Sequence, residues 1–223
     1  HEETPGKLYD VKYPYADGSG YITVATTRPE TMFGDIAVAV NPEDERYKHL
    51  VGKKVKLPLT DREIPIIQDS FVSLEFGTGM VKITPAHDPN DWECGKRHDL
   101  EIINVLNPDG TLNDNCPEKY RNIQAAEARK LVVEDLKELG NLISEKEHNH
   151  EVGHCYRCNT IIEPYLSKQW FVSMQSMADK ALQAWKDEKI KFYPKRWENT
   201  YSHWLTSIRD WCISRQLWWG HRI

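Results

Sequence analysis

The ten residues Lys82-Ile83-Thr84-Pro85-Ala86-His87-Asp88-Pro89-Asn90-Asp91 lie just past the turn Gly77-Thr78-Gly79. They bring an ammonium, a hydroxyl, an imidazole, a carboxamide and two carboxylates together, a set suited to a small polar substrate. In an extended chain successive side chains alternate, so Val81 and Ile83 point one way and Met80, Lys82 and Thr84 the other. Asp88-Pro89 is a helix start, with Asp88 as N-cap, Pro89 in the first helical position and Asp91 in the third. A strand end that feeds a helix start is a common place for a ligand site. Each residue also has a plainer reading. Asp88 is an ordinary cap, Asp91 a carboxylate favoured by the helix dipole, Lys82 a solvated strand lysine and His87 a surface histidine.

A second segment strengthens the functional reading. Residues 21–27 alternate like a strand and run into Arg28-Pro29-Glu30-Thr31, where Thr27 and Glu30 fit a capping box. Gly34-Asp35 then leads into the apolar run 36–40, stopped by Asn41-Pro42. Two strand ends thus deliver hydroxyls and charges at turns, and pairing them builds one polar cleft.

The elements that must hold this cleft are strand-like runs at 21–27, 36–40, 54–57, 64–67 and 80–84. They are joined by a helix beginning near Pro89 and another over about 123–139, ended by Gly140. After about residue 165 the character changes. Seven of the eight tryptophans lie between Trp170 and Trp219. Met174, Met177, Ala178, Ala181 and Trp185 form one helical stripe, and Trp197, Tyr201, Trp204, Leu205 and Ile208 another. So much aromatic surface on two helices needs a partner to bury it.

Composition limits the classes available. The 223 residues suffice for one domain and an appendage. Five scattered cysteines do not make a secreted disulfide framework, no apolar run reaches membrane-span length, and no signal peptide is visible, so a cytoplasmic protein is expected. A formal charge of −5 argues against strong nonspecific nucleic-acid binding, although Lys53-Lys54 and Lys195-Arg196 are local basic spots. The chain begins at His1 and stops at Ile223 inside a motif, which reads as an excised piece of a larger protein. Cys155 and Cys158 are half of a zinc site by spacing. His148, His150 and His154 lie close enough in sequence to complete it, and a pair of reduced buried thiols is the plainer reading.

Ala25-Thr26-Thr27-Arg28-Pro29-Glu30-Thr31 and the stretch from Gly77 to Asp91 resemble the editing domain of class I aminoacyl-tRNA synthetases for branched aliphatic amino acids. The string His87-Asp88-Pro89-Asn90-Asp91 is similar to the valyl branch of that family. Cys155-Tyr156-Arg157-Cys158 and Ile213-Ser214-Arg215-Gln216-Leu217-Trp218-Trp219-Gly220 continue the likeness over essentially the whole chain.

The resemblance implies an α/β fold, a mixed-sheet, barrel-like editing domain with flanking helices over residues 1–147. A Cys-pair knuckle over 148–166 and a helical, Trp-rich C-terminal appendage over 167–223 follow. The appendage would return to a catalytic domain, where Trp219 would help line the amino-acid pocket. The resemblance also implies hydrolysis of threonine mischarged onto tRNA(Val). Arg28, Thr31, Lys82, Thr84, Asp88 and Asp91 would line the pocket, with Thr27 and His87 shaping it. Asp91 would pair with the substrate's α-ammonium. Lys82, Thr84, Thr31 and Asp88 would read the threonine hydroxyl, and Arg28 or Lys82 would stabilise the oxyanion. No serine or cysteine nucleophile with a histidine partner is visible, so a positioned water is expected to attack. Partners would be tRNA(Val) with its 3′-aminoacyl end and the remaining domains of the parent synthetase.

Structural zinc at Cys155 and Cys158, completed by cysteines upstream, would not be needed for editing. The chain lacks His-x-Gly-His and Lys-Met-Ser-Lys-Ser elements, so ATP belongs to the full-length enzyme only. Two rivals remain open at this point: a metal-dependent hydrolase built on His87, Asp88 and Asp91, and a non-catalytic tRNA-docking module.

Overall fold

A computed structural model describes residues 2–75, 77–216 and 220–221. The chain forms two compact units, His1–Leu166 and Ser167–Ile223.

The first unit is built on two sheets. Strand β1 (Glu2–Pro14) is flanked by β2 (Tyr21–Thr26) on one side and, reached only late in the chain, β7 (Leu142–Val152) on the other, all antiparallel. The second sheet has the order β4 (Lys54–Lys56), β5 (Glu63–Gln68), β3 (Ala37–Val40), β6 (Met80–Ile83). It is mixed: β3 runs parallel to β5 and antiparallel to β6. Two helices flank the sheets, α1 (Pro89–Arg97) and α2 (Ala125–Glu138), the latter followed by Gly140 at φ +69°.

The mixed α/β expectation holds, but the expected barrel does not close. A single bridge, Tyr15 to Val55, joins β1 to the edge strand β4. On the other side β2 and β6 lie side by side with no ladder between them. Among the described residues the sheets therefore stay open at the β2–β6 seam.

Burial follows the strand period. Val38, Val40 and Met80 join the main core with Tyr13, Ile22, Val24, Phe33, Leu57, Ile66, Leu112 and Leu136. Ala37, Ala39 and Ile83 face a smaller cluster with Val72 and Cys94 of α1. Strand β6 is thus covered on both faces, and Lys82 and Thr84 lie on the main-core side beyond Met80. Glycine is required at position 34, where the chain passes close to Ile103 and Thr84. A Cβ on Gly34 would stand 2.8 Å from the Ile103 carbonyl oxygen and 3.1 Å from Thr84 Cγ2.

The second unit holds α3 (Gln175–Lys186), α4 (Trp197–Thr206) and a two-stranded ladder of β8 (Phe171–Val172) with β9 (Trp211–Cys212). Both expected helices form, and the ladder was not foreseen. Ala178 and Leu182 are buried, and Tyr201 packs on Trp185 and Phe192. Trp170 and Trp204 are 76% and 70% exposed, so the aromatic stripes are only partly covered within this unit. Leu217, Trp218 and Trp219 lie outside the described residues, and with them the pocket role expected for Trp219.

Candidate functional site

The open seam contains a cavity of about 240 Å³. Its wall includes every residue that the resemblance assigns to the editing pocket: Thr27, Arg28, Thr31, Lys82, Thr84, His87, Asp88 and Asp91. Strand β2 ends at Thr26 and delivers Thr27 and Arg28. A 3-10 turn over Pro29–Gly34 carries Thr31, β6 carries Lys82, and α1 carries Asp91 on its first turn.

The centre of the site is a residue the sequence reading passed over. Asp35 is fully buried and accepts from Tyr13 Oη (2.7 Å), Thr84 Oγ1 (2.6 Å) and Lys82 Nζ (3.2 Å). Complete burial pushes its carboxyl above the usual range, opposed first by the Lys82 charge and then by the hydroxyl donors. Lys82 also donates to Thr31 Oγ1 (3.3 Å) and to Thr84 Oγ1. All three ammonium protons are then committed to protein oxygens. Thr84 spends its proton on Asp35, and Thr31 spends its own on the Arg28 carbonyl (2.9 Å). Each hydroxyl accepts from Lys82 and retains one lone pair. The cluster can therefore accept a hydrogen bond from a ligand O–H and has nothing to offer a methyl group.

Arg28 is held from three sides. Its Nη1 donates to the His87 carbonyl (3.1 Å), Nη2 to Glu163, and Nε lies 3.5 Å from Glu30 without a hydrogen-bond partner among the described residues. Glu30 is fully buried and takes a two-pronged contact from Arg129, 2.8 Å on each side. The capping box expected from Thr27 and Glu30 does not form. The 3-10 turn has no side-chain cap, because Glu30 turns inward to the two arginines.

His87 is buried with both ring nitrogens engaged. Nε2 accepts from the Val105 amide (2.9 Å), and Nδ1 lies 3.1 Å from the Pro164 carbonyl. These partners fix the neutral tautomer with the proton on Nδ1. Burial lowers the imidazole to about 4, with Arg28 and Lys82 contributing. A ring so committed has no lone pair for a metal or for a water proton. That removes both the general-base role and the metal-hydrolase reading of His87, Asp88 and Asp91.

Asp88 is the N-cap of α1, its carboxylate accepting from the amides of Asn90 (2.7 Å) and Asp91 (3.2 Å). Asp91 differs from an ordinary first-turn carboxylate because it is buried. Its Oδ2 accepts from the Thr84 amide at 2.8 Å, and no side-chain cation is bound to it among the described residues. Desolvation raises it to about 7 against the Lys82 charge. It is a shielded carboxyl with no cation in direct contact, and it lines the cavity.

The sequence reading also missed Leu8 and His148, which line the cavity from β1 and β7. Among the described residues His148 does not join the cysteines. Cys155 and Cys158 sit on a tight turn closed by Cys155 N to Thr160 O (2.9 Å) and Asn159 N to Cys155 O (2.8 Å). They supply two thiols suited to zinc, and no third described ligand is within reach of them. The one three-ligand group among the described residues is Asp69, Cys94 and His98. Asp69 already pairs with Arg97 at 2.9 Å, and burial pushes the Cys94 thiol up to about 12, which disfavours a metal there.

Comparison with known proteins shows the family. The family of class I tRNA synthetases (I, L, M and V) matches residues 9–223, and the chain belongs to it. Within that family its similarity is to valine–tRNA ligases. It is 60% identical to that of Treponema denticola and 62% identical to that of Carboxydothermus hydrogenoformans. Both matches cover 100% of this chain but 26% and 25% of those proteins, so the chain spans about a quarter of their length. A crystal structure of a ternary complex of Agrobacterium radiobacter LeuRS with tRNA and LeuAMS shares the fold over 72% of this chain and 24% of that one. The TM-score is 0.51 and the identity 20%.

Proposed function

We propose that the cavity hydrolyses the ester of threonine mischarged onto valine tRNA, as the proofreading part of a valyl-tRNA synthetase. The observation that carries this reading is the pairing of two features in one cavity. Asp91 is a shielded carboxylate without a cation, and Thr31 and Thr84 are hydroxyls with their protons already spent. The first suits a free α-ammonium. The second suits a side-chain O–H. Threonine offers both, while valine would leave the Thr31 and Thr84 lone pairs facing a methyl group.

The chemical need is general. An apolar pocket rejects an isostere that merely adds a hydroxyl by only about 100-fold, a figure for which the valine-specific synthetase facing threonine is itself the standard example. A site that demands the hydroxyl rejects the analogue lacking it far more strongly. In this reading Asp91 orients the ester, and Lys82 and Asp35 hold Thr31 and Thr84 in register. Arg28 and its carboxylate partners fix the cavity's rim.

Oxyanion stabilisation by Lys82 would require it to give up one of its three protein contacts. The partners are tRNA(Val) and the rest of a synthetase in the cytoplasm, with the Trp-rich unit packing on its catalytic domain. No described helix is long and apolar enough to cross a membrane. Where the upstream part of the protein supplies further cysteines, Cys155 and Cys158 would hold zinc as a structural brace. The test is deacylation of threonyl and valyl esters of the same tRNA(Val), with the spontaneous rate subtracted. Equal rates for both esters would remove the hydroxyl-reading role.

A further inference from the structure

We propose that His148 takes the proton from the hydrolytic water in this cavity, a role that rests on the ester-hydrolase reading above. Apart from Arg28, whose guanidinium stays charged and cannot act as a base, five other titratable groups border or underlie the cavity, and each is otherwise engaged. Both His87 nitrogens are held by the Val105 amide and the Pro164 carbonyl. The Asp88 carboxylate caps α1 through two amides. Asp35 accepts from three donors, and the Lys82 protons go to Asp35, Thr31 and Thr84. Asp91, once paired with the substrate ammonium, is a weak base. The ring of His148 lines the same cavity, and its nitrogens have no hydrogen-bond partner among the described residues.

The position of His148 is built rather than incidental. It lies on β7 directly opposite Gly6 of β1, and His150 lies two residues on, on the same face. A Cβ on Gly6 would stand 2.5 Å from His150 Cε1, so the glycine makes room for the His150 ring beside His148. The two rings lie nearly parallel, with centroids 6.0 Å apart and planes inclined by 10°.

The step balances without any further reactant. Water oxygen attacks the ester carbonyl carbon as one water proton passes to a His148 nitrogen. The tetrahedral oxyanion collapses, and the bond from carbonyl carbon to ribose oxygen breaks. The ribose oxygen then takes the proton back from the imidazolium, leaving free threonine and an uncharged tRNA end.

Single-turnover deacylation of threonyl-tRNA(Val) by the full chain, with protein in excess, tests this. His148→Ala is expected to slow hydrolysis roughly 100-fold. Added imidazole should restore at least about tenfold of that loss by entering the space left by the ring. His148→Gln, which keeps bulk without a base, should be equally slow, and it serves if the alanine variant fails to fold. A folded variant within about twofold of wild type overturns the proposal, and so does a loss that imidazole cannot restore. If wild type itself spares the threonyl ester, the hydrolase reading falls and this one with it. If wild type is active and the variants are too, only the role of His148 falls.

Discussion

Replacing Asp91 by asparagine should make the fold more stable at pH 8 while disabling the site. The carboxyl is raised from an ordinary value of 3.8 to about 7, chiefly by burial. Below pH 3.8 it is neutral in both folded and unfolded chains. As pH rises toward 7 the unfolded chain ionises freely and the folded one does not, so stability is progressively lost. Each pH unit in that window costs about 1.4 kcal/mol. Asparagine keeps the shape and can still accept from the Thr84 amide, but has no charge to bury.

The stability difference between Asp91→Asn and wild type should therefore shift in favour of the variant by about 2–3 kcal/mol between pH 5 and pH 8. Urea unfolding of both proteins across that range reads it directly. Titration of His87 and all other groups is common to both and cancels. An ordinary first-turn carboxylate predicts the opposite sign, a variant less stable by about 0.3–1 kcal/mol throughout. In the same variant, losing the charge-assisted contact to the ammonium should slow deacylation by roughly 10- to 100-fold. A variant that is less stable at pH 8, with a difference that does not change with pH, would refute the reasoning.

Other outcomes follow from the same contacts. Asp35→Asn should destabilise the fold by about 3–5 kcal/mol, read by urea or thermal unfolding, because it leaves the Lys82 charge nearly buried without its counter-ion. Gly34→Ala should cost about 1–3 kcal/mol by overpacking against the Ile103 carbonyl and Thr84. It should lower the rate with threonyl ester more than it raises KM if Thr84 moves. His87 is held neutral with its value lowered to about 4, so its stabilising contribution is complete above pH 6.5 and is lost as pH falls toward 4. Asp91→Asn shares this loss and, with no charge to bury, is at least as stable as wild type at every pH, so its acid unfolding should set in no higher than in wild type. Chelators should leave the deacylation rate unchanged, since His87 and Asp88 are engaged by the protein and no three-ligand group among the described residues lies at the cavity.

The parts legible in sequence are those whose chemistry is local. Asp88-Pro89 announces a helix start by cap and ring, and α1 begins there. The strand at 80–84 alternates clearly, and its ladder on β3 follows. Strands β1 and β7 were not legible. β1 contains Pro5 and Gly6, tolerated because β2 pairs only with its second half, Tyr9–Pro14, leaving Pro5 paired on one side alone. β7 is rich in charged and histidine residues because it is an edge strand with much of its length exposed. Missing that strand pair meant missing Leu8 and His148 as cavity residues. Asp35 was invisible for another reason. Its three partners, Tyr13 on β1 and Lys82 and Thr84 in and just after β6, are far from it in sequence, and nothing next to Asp35 marks it as buried. The barrel expectation failed at the seam between β2 and β6, where side chains of the site stand in place of a ladder.

The most direct test is single-turnover hydrolysis of threonyl-tRNA(Val) and valyl-tRNA(Val) by this chain under identical conditions. The hydroxyl-accepting arrangement at Thr31 and Thr84 predicts that the threonyl ester is cleaved at least about 100-fold faster. Rates that match within a few-fold, after subtraction of spontaneous hydrolysis, would contradict it.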